Sequence, residues 1–246
     1  MKNILQLPQL GPDPLSPFPP PGAALESPNG LLAWGGDLHP DRLLRAYRQG
    51  IFPWYSEGQP ILWWSPAPRC VLYPARVYLS RRTRRRYNNG GYKLSVNTAF
   101  DAVITACAGP RADGSGTWIT PEMKDAYLRL HHLGHAHSLE VWKDERLAGG
   151  IYGLAAGRLF FGESMFSRQT DGSKIALVAL CHLLLKHGYE LLDCQVGNPH
   201  LYSMGAEDIS REAFQSMLEN QPDNQARLFD WQAGPVTENH WQERPG

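Results

Sequence analysis

The chain has 246 residues, with 24 Lys plus Arg against 24 Asp plus Glu, so its formal net charge is zero. Hydrophobic residues make up 42% and charged residues 20%, the composition of a globular protein, which excludes a disordered tail, a coiled-coil rod and a collagen-like chain. A zero sum also argues against a protein that coats nucleic acid by bulk charge; what it leaves open is where the charges sit.

Residues 1–10 lack the apolar run of a signal peptide, and the longest apolar stretch, residues 175–185, is interrupted by His182 and too short to span a bilayer. Eight of the 20 prolines fall in the first 28 residues, and Pro17-Phe18-Pro19-Pro20-Pro21-Gly22 predicts an extended arm, laid on a domain surface by Phe18 and Leu25. A helix is expected over 41–50: Pro40 and Asp41 start it, Leu43, Leu44 and Tyr47 recur at helical spacing, and Gly50 closes it. Residues 51–69 hold Trp54, Tyr55, Trp63 and Trp64 among four prolines and read as irregular aromatic structure. Residues 1–70 are therefore expected to form a small N-terminal domain and 71–246 a second one.

In that second part helices are expected over 98–108 and 121–133, the latter with Thr120 as N-cap, Pro121 at its first position and Gly134 past its end. Residues 138–142, 147–154 and 158–166 read as three strands of an antiparallel meander, turning at Lys143-Asp144-Glu145-Arg146 and Ala156-Gly157. A long apolar helix over 173–187, stopped by Gly188, a strand over 190–196 and a helix over 210–219 follow. The order predicts an α+β sheet domain. The four cysteines are widely spaced with no C-x-x-C pair, which suits reduced thiols in the cytoplasm.

Four features carry chemistry. In Ser80-Arg81-Arg82-Thr83-Arg84-Arg85-Arg86 five cations fall in six positions, and Arg76 lies just upstream. If the run is helical, Arg81, Arg84 and Arg85 share a face, and such repulsion is costly unless an anion is the partner; phosphate matches arginine's fork of donors, and a solvated basic turn is the alternative. The same concentration explains the zero sum, since from Glu207 onward the chain carries eight acids against three bases. Trp54, Trp63, Trp64 and Trp118 either pack a core or offer faces on which unpaired bases stack, Trp118 after a loop-like Gly114-Ser115-Gly116-Thr117. In the strand over 190–196, a period of two puts Asp193 and Gln195 on one face near a core edge, where they need a partner or a task. Glu163, inside the apolar Phe160-Phe161-Gly162-Glu163-Ser164-Met165-Phe166, needs a cation: Arg168 or a cationic substrate. Two patterns weigh less. His131, His132, His135 and His137 lack a carboxylate or thiolate at ligand spacing, so no metal is expected. Gln169-Thr170-Asp171-Gly172-Ser173-Lys174 stands at a helix start, with a single glycine.

Taken together, Pro28-Asn29-Gly30-Leu31-Leu32-Ala33, Gly35-Gly36-Asp37-Leu38, Gly50-Ile51-Phe52-Pro53-Trp54, Leu62-Trp63-Trp64-Ser65-Pro66, Gly116-Thr117-Trp118-Ile119-Thr120, Gly134-His135-Ala136-His137-Ser138, Phe161-Gly162-Glu163-Ser164-Met165-Phe166-Ser167 and Asp193-Cys194-Gln195 resemble, in order, the segments of the leucyl/phenylalanyl-tRNA–protein transferases. The resemblance implies an enzyme that moves Leu or Phe, less readily Met, from aminoacyl-tRNA to the N-terminal Arg or Lys of a protein, marking it for N-degron proteolysis by an adaptor and a Clp-type protease. It also implies a catalytic domain similar to the acetyltransferase (GNAT) fold, a mixed sheet flanked by helices and preceded by a small N-terminal domain. By resemblance, Asp193 and Gln195 act on the acceptor's α-amino group and Glu163 is an acid near it. Trp54 and Trp118 serve the terminal adenosine, and Arg76, Arg81, Arg84 and Arg85 the acceptor stem. Ile151, Phe160 and Met165 are expected to line the pocket for Leu or Phe.

The donor is an activated ester, so neither a cofactor nor a metal is expected, and a monomer suffices. Gln195's carbonyl oxygen is expected to accept a hydrogen bond from the attacking amine, with Asp193 orienting its amide. Two other readings compete: a coenzyme A-dependent N-acetyltransferase, opposed by Lys174 where the phosphate loop needs Gly or Ala, and a non-catalytic RNA-binding module, which leaves Asp193, Gln195 and Glu163 without a task.

Overall fold

The computed structural model describes residues 7–109, 117–221 and 229–236. In chain order the elements are β1 (Gln9–Leu10), β2 (Leu31–Gly35), α1 (Pro40–Arg48), β3 (Phe52–Pro53), β4 (Leu62–Trp64), β5 (Arg69–Leu72), α2 (Arg81–Asn89), β6 (Lys93–Val96), α3 (Phe100–Cys107) and α4 (Pro121–His132). They continue with β7 (Ala136–Lys143), β8 (Arg146–Ala156), β9 (Leu159–Ser167), α5 (Gly172–Lys186), β10 (Leu191–Gln195), α6 (Pro199–Ser203), β11 (Glu207–Ile209), α7 (Arg211–Glu219) and β12 (Gly234–Pro235).

These strands build two sheets. A four-stranded one runs β1-β2-β4-β3, and an eight-stranded one runs β11-β5-β10-β9-β8-β7-β6-β12. The aromatic segment read as irregular therefore supplies two short strands, β3 pairing with β4 at Phe52↔Trp64 and Pro53↔Trp63. The proline arm does lie on the surface behind them: Phe18 is buried with its ring edge-on to Trp63 at 4.9 Å.

The predicted meander is present, β7, β8 and β9 pairing antiparallel. Its first hairpin turns through Asp144 and Glu145, both at positive φ, the backbone form that matches the twist of the flanking strands. α5 follows, and β10 returns parallel to β9. Thr120 caps α4 by accepting from the Met123 N–H, and the arginine run is a true helix, capped by Ser80 accepting from the Thr83 N–H.

Strand alternation sorts the interior into two cores, one on each face of the large sheet. On one face Phe161, Tyr152, Leu154 and Leu191 meet α1, α3, α4 and the small sheet; on the other Phe160, Ile151 and Leu192 meet α5. α5 is apolar nearly all round because it is buried nearly all round. Among the described residues no helix is long and apolar enough to cross a membrane.

Candidate active site

Two breaks in the strand pattern build the site. In the β8–β9 ladder the register shifts between Tyr152 and Gly153, which face Ser164 and Gly162, so Glu163 is left without an opposite residue. In the β10–β5 ladder the register shifts between Asp193 and Gln195, and Gln195 takes φ 62, the left-handed region that non-glycine residues seldom adopt. The period-two expectation that Asp193 and Gln195 share one face fails here, because the bulge turns Gln195 away.

The result brings Gln195 onto Glu163, its side-chain Nε2 donating to Glu163 Oε1 at 2.9 Å. Tyr47 of α1 donates to Oε1 at 2.7 Å and Tyr127 of α4 to Oε2 at 2.8 Å, and the two tyrosine hydroxyls also meet each other. Glu163 is 8% exposed. Burial pushes its carboxyl up to about 7, against the pull of these donors, and the same burial beside Glu163 holds both tyrosines well above their usual range. Arg168, the expected partner in sequence, instead stacks over Phe166 with 5.6 Å to the ring centre.

Asp193 is fully buried. Its carboxylate accepts from Arg69 Nε at 2.8 Å and Arg69 Nη2 at 2.7 Å, and its Oδ1 also accepts from the Gln195 backbone N–H at 2.9 Å. It acts on the Gln195 main chain rather than on the side-chain amide, and it lines neither cavity of the site.

Two cavities meet at this point. One, of about 740 Å³, is lined on the α5 side by Ile151, Met165, Leu177 and Leu192. The other, of about 730 Å³, is walled by Trp54 and Trp118 with Phe52 and Pro53. Glu163, Cys194, Gln195, Val196 and Asn198 line both. Ile151 and Met165 line the first cavity, but Phe160 lines neither: it is buried against Trp231 at 5.5 Å. Trp54 is 43% exposed and stands 5.7 Å from Trp64, whose indole donates to the Trp54 carbonyl; Trp63 is core. Gly114, Ser115 and Gly116, read as the loop before Trp118, lie outside the described residues.

Around the corner, Arg81, Arg84 and Arg85 of α2 form no ion pair among the described residues, whereas Arg86 pairs with Asp171 at the start of α5. Arg76 pairs with Glu207 at 3.2 Å. Of the histidines, His131 stacks on Phe100 and approaches the Ala136 carbonyl, and His137 stacks on Trp231; no cluster of metal ligands occurs among the described residues.

Sequence reasoning missed three side chains here. Tyr47 reads as an ordinary apolar-face residue of its helix, Tyr127 does not stand out in its own, and nothing in their spacing reveals a shared hydroxyl contact. Arg69 left one trace, a charge directly before the apolar Cys70-Val71-Leu72.

Two cavities of substrate size, joined at one buried acid and one amide, suit an enzyme that brings two substrates together, and likeness to known proteins makes that class an aminoacyltransferase. The family model described as leucyl/phenylalanyl-tRNA protein transferase matches residues 71–219, and that of its N-terminal domain residues 36–67. Proteins named leucyl/phenylalanyl-tRNA–protein transferase are similar over nearly their whole length. That of Stutzerimonas stutzeri is 55% identical over 88% of this chain and 95% of its own, and that of Idiomarina loihiensis 52% over 92% and 95%. That of Aromatoleum aromaticum is 57% identical over 82% and 86%. The chain belongs to the leucyl/phenylalanyl-tRNA protein transferase family.

Proposed function

We propose that this chain transfers Leu or Phe, and less readily Met, from aminoacyl-tRNA to the N-terminal Arg or Lys of an acceptor protein, as a cytoplasmic monomer that marks its products for N-degron proteolysis. The observation that carries the reading is the sharing of Glu163 and Gln195 between the two cavities, which supports a bond made at their junction. The apolar wall of the first cavity, made by Ile151, Met165, Leu177 and Leu192, suits the Leu or Phe side chain. Trp54 and Trp118 suit the terminal adenosine, and the unpaired face of Arg81, Arg84 and Arg85, with Arg76, suits the acceptor stem.

In the reaction the acceptor's α-amine attacks the ester carbonyl; the C–N bond forms, the bond to the tRNA 3′-oxygen breaks, and the amine's proton passes to that oxygen. An α-amine has a reference pKa of about 8, so a fair fraction is neutral near pH 7 and placement does much of the work. Gln195 has its Nε2 tied to Glu163, which leaves its carbonyl oxygen to accept from the attacking amine. Glu163 favours the positive charge that develops on the amine and draws the acceptor's basic side chain. Asp193 holds the Gln195 backbone in its strained form.

The N-terminal domain is assigned to residues 1–70 and the catalytic domain, of GNAT-like type, to 71–246. The antiparallel meander followed by α5 and a parallel β10 supports that type. Coenzyme A is disfavoured. The loop before α5 presents Asp171, already engaged by Thr83, Arg86 and Lys174, where a pyrophosphate would have to approach.

The test mixes the protein with labelled Phe-tRNA and an acceptor beginning with Arg. Label should enter the acceptor and survive ribonuclease. Gln195→Ala should lower kcat by ~100-fold while leaving aminoacyl-tRNA affinity nearly intact; transfer at the wild-type rate sinks the site assignment.

A further inference from the structure

We propose that Arg69 is a positioning residue of the transfer site, acting through Asp193 to fix the backbone of Gln195. The inference rests on the reading of Gln195 given above and extends it by one residue that touches neither cavity.

The geometry forms a chain of single-purpose contacts. The Arg69 guanidinium lies between two aromatic rings, 5.0 Å from the centre of Phe52 and 4.6 Å from that of Phe214. Its Nη1 donates to the Gly50 carbonyl at 3.1 Å, and its Nε and Nη2 hold both Asp193 oxygens. Two ring contacts and three hydrogen bonds thus hold the guanidinium in place. Asp193 then has one acceptor direction left at Oδ1, and the Gln195 N–H takes it. That contact closes a turn from residue 193 to 195 around the position where Gln195 sits at φ 62. Gln195 next reaches Glu163.

A buried ion pair is a weak source of stability. Desolvating both charges costs about what their attraction returns, and an apolar pair of the same volume serves a core as well. Arg69 and Asp193 are 1% and 0% exposed, so this cost is met in full. What an apolar pair cannot do is accept the Gln195 N–H and hold a left-handed glutamine. Lysine cannot substitute, because a point charge on a flexible stem grips one oxygen and leaves the carboxylate free to turn. Arg69 also collects its partners from β3, β10 and α7 and from the turn after α1, so the mutual placement of the N-terminal and C-terminal parts of the chain sets the aim of one amide.

The test compares Arg69→Met, Arg69→Lys, Asp193→Asn and the Arg69→Met/Asp193→Asn double variant with Gln195→Ala, in the full-length protein. The readouts are transfer kinetics, aminoacyl-tRNA affinity and melting temperature. Arg69→Met is expected to lower kcat by ~100-fold with KM for aminoacyl-tRNA within about threefold of wild type, since a misplacement near 1 Å costs that much. Arg69→Lys should fall between. The double variant should be no slower than the slower single one, because both act on one element. Should Arg69→Met fail to fold, Arg69→Lys and Asp193→Asn carry the same comparison. Wild-type kcat in a folded Arg69→Met or Arg69→Lys, a loss confined to melting temperature, or a double variant slow by the product of the singles overturns the proposal. If Gln195→Ala itself transfers at the wild-type rate, the site reading fails instead, so the two failures are distinguishable.

Discussion

Glu163 is the residue whose chemistry is most open to measurement. Its carboxyl is pushed up to about 7 by burial, while in the unfolded chain it returns to about 4.5. Between those values the folded protein binds more protons than the unfolded one, so stability is highest below about pH 4.5 with respect to this group and is lost as pH rises through about 7. The change is on the order of 3 kcal/mol. Glu163→Gln should remove that component, which denaturant titrations from pH 5 to 8 will detect as a flatter profile. The same group predicts that transfer rises with pH through about 7 as the carboxylate forms, and that Glu163→Gln is slow throughout with that step gone. Tyr47→Phe and Tyr127→Phe each withdraw one donor from the carboxylate, and should raise the apparent pKa seen in the rate profile. At this scale the sequence exposed Glu163, Asp193 and Gln195, because polar groups inside apolar strands are conspicuous. It hid Arg69, whose partner lies 124 positions away, and it misjudged the faces, because alternation has no means of announcing a bulge.

Among the elements, α2 separates two roles within one run of arginines. Arg86 is committed to Asp171, while Arg81 and Arg85 are exposed and Arg84 is half-buried, none of the three in an ion pair among the described residues. Reversing Arg81, Arg84 and Arg85 to Glu should weaken aminoacyl-tRNA binding and lower the salt slope by roughly 0.9 for each phosphate no longer neutralised, with melting temperature little changed; an unchanged slope makes the helix a bystander. Arg86→Glu should instead lower the melting temperature, since Asp171 then faces a like charge. The β8–β9 bulge depends on Gly153, where an added Cβ would meet the Phe161 carbonyl oxygen at 2.0 Å. Gly153→Ala should therefore cost several kcal/mol by overpacking against backbone, and disturb Glu163 with it. Helices and the meander were legible, since Thr120, Pro121, Gly134 and the apolar periods mark them plainly. β5 and β6 were not: Arg69-Cys70-Val71-Leu72 and Lys93-Leu94-Ser95-Val96 are too short, and too polar at their starts, to stand out from loop. β1 to β4 were masked by proline, which punctuates the small sheet without preventing it.

At the scale of the whole molecule, one apolar cluster runs from Leu10 and Trp63 of the small sheet through Tyr47 to Phe161, Leu191 and Phe214. The two parts of the chain share a core, and the site takes Tyr47 from one and Tyr127, Glu163 and Gln195 from the other. Heating should give a single transition, seen together by tryptophan fluorescence and far-ultraviolet dichroism; separate midpoints would mean that the small sheet melts alone. α7 has a part in this out of proportion to its nine residues. Arg211 donates to the carbonyls of Pro21 and Ser65, and Phe214 closes one side of Arg69. A growing polypeptide therefore makes Asp193 and Gln195 before the ring of Phe214, 21 and 19 residues further on, can close one side of Arg69.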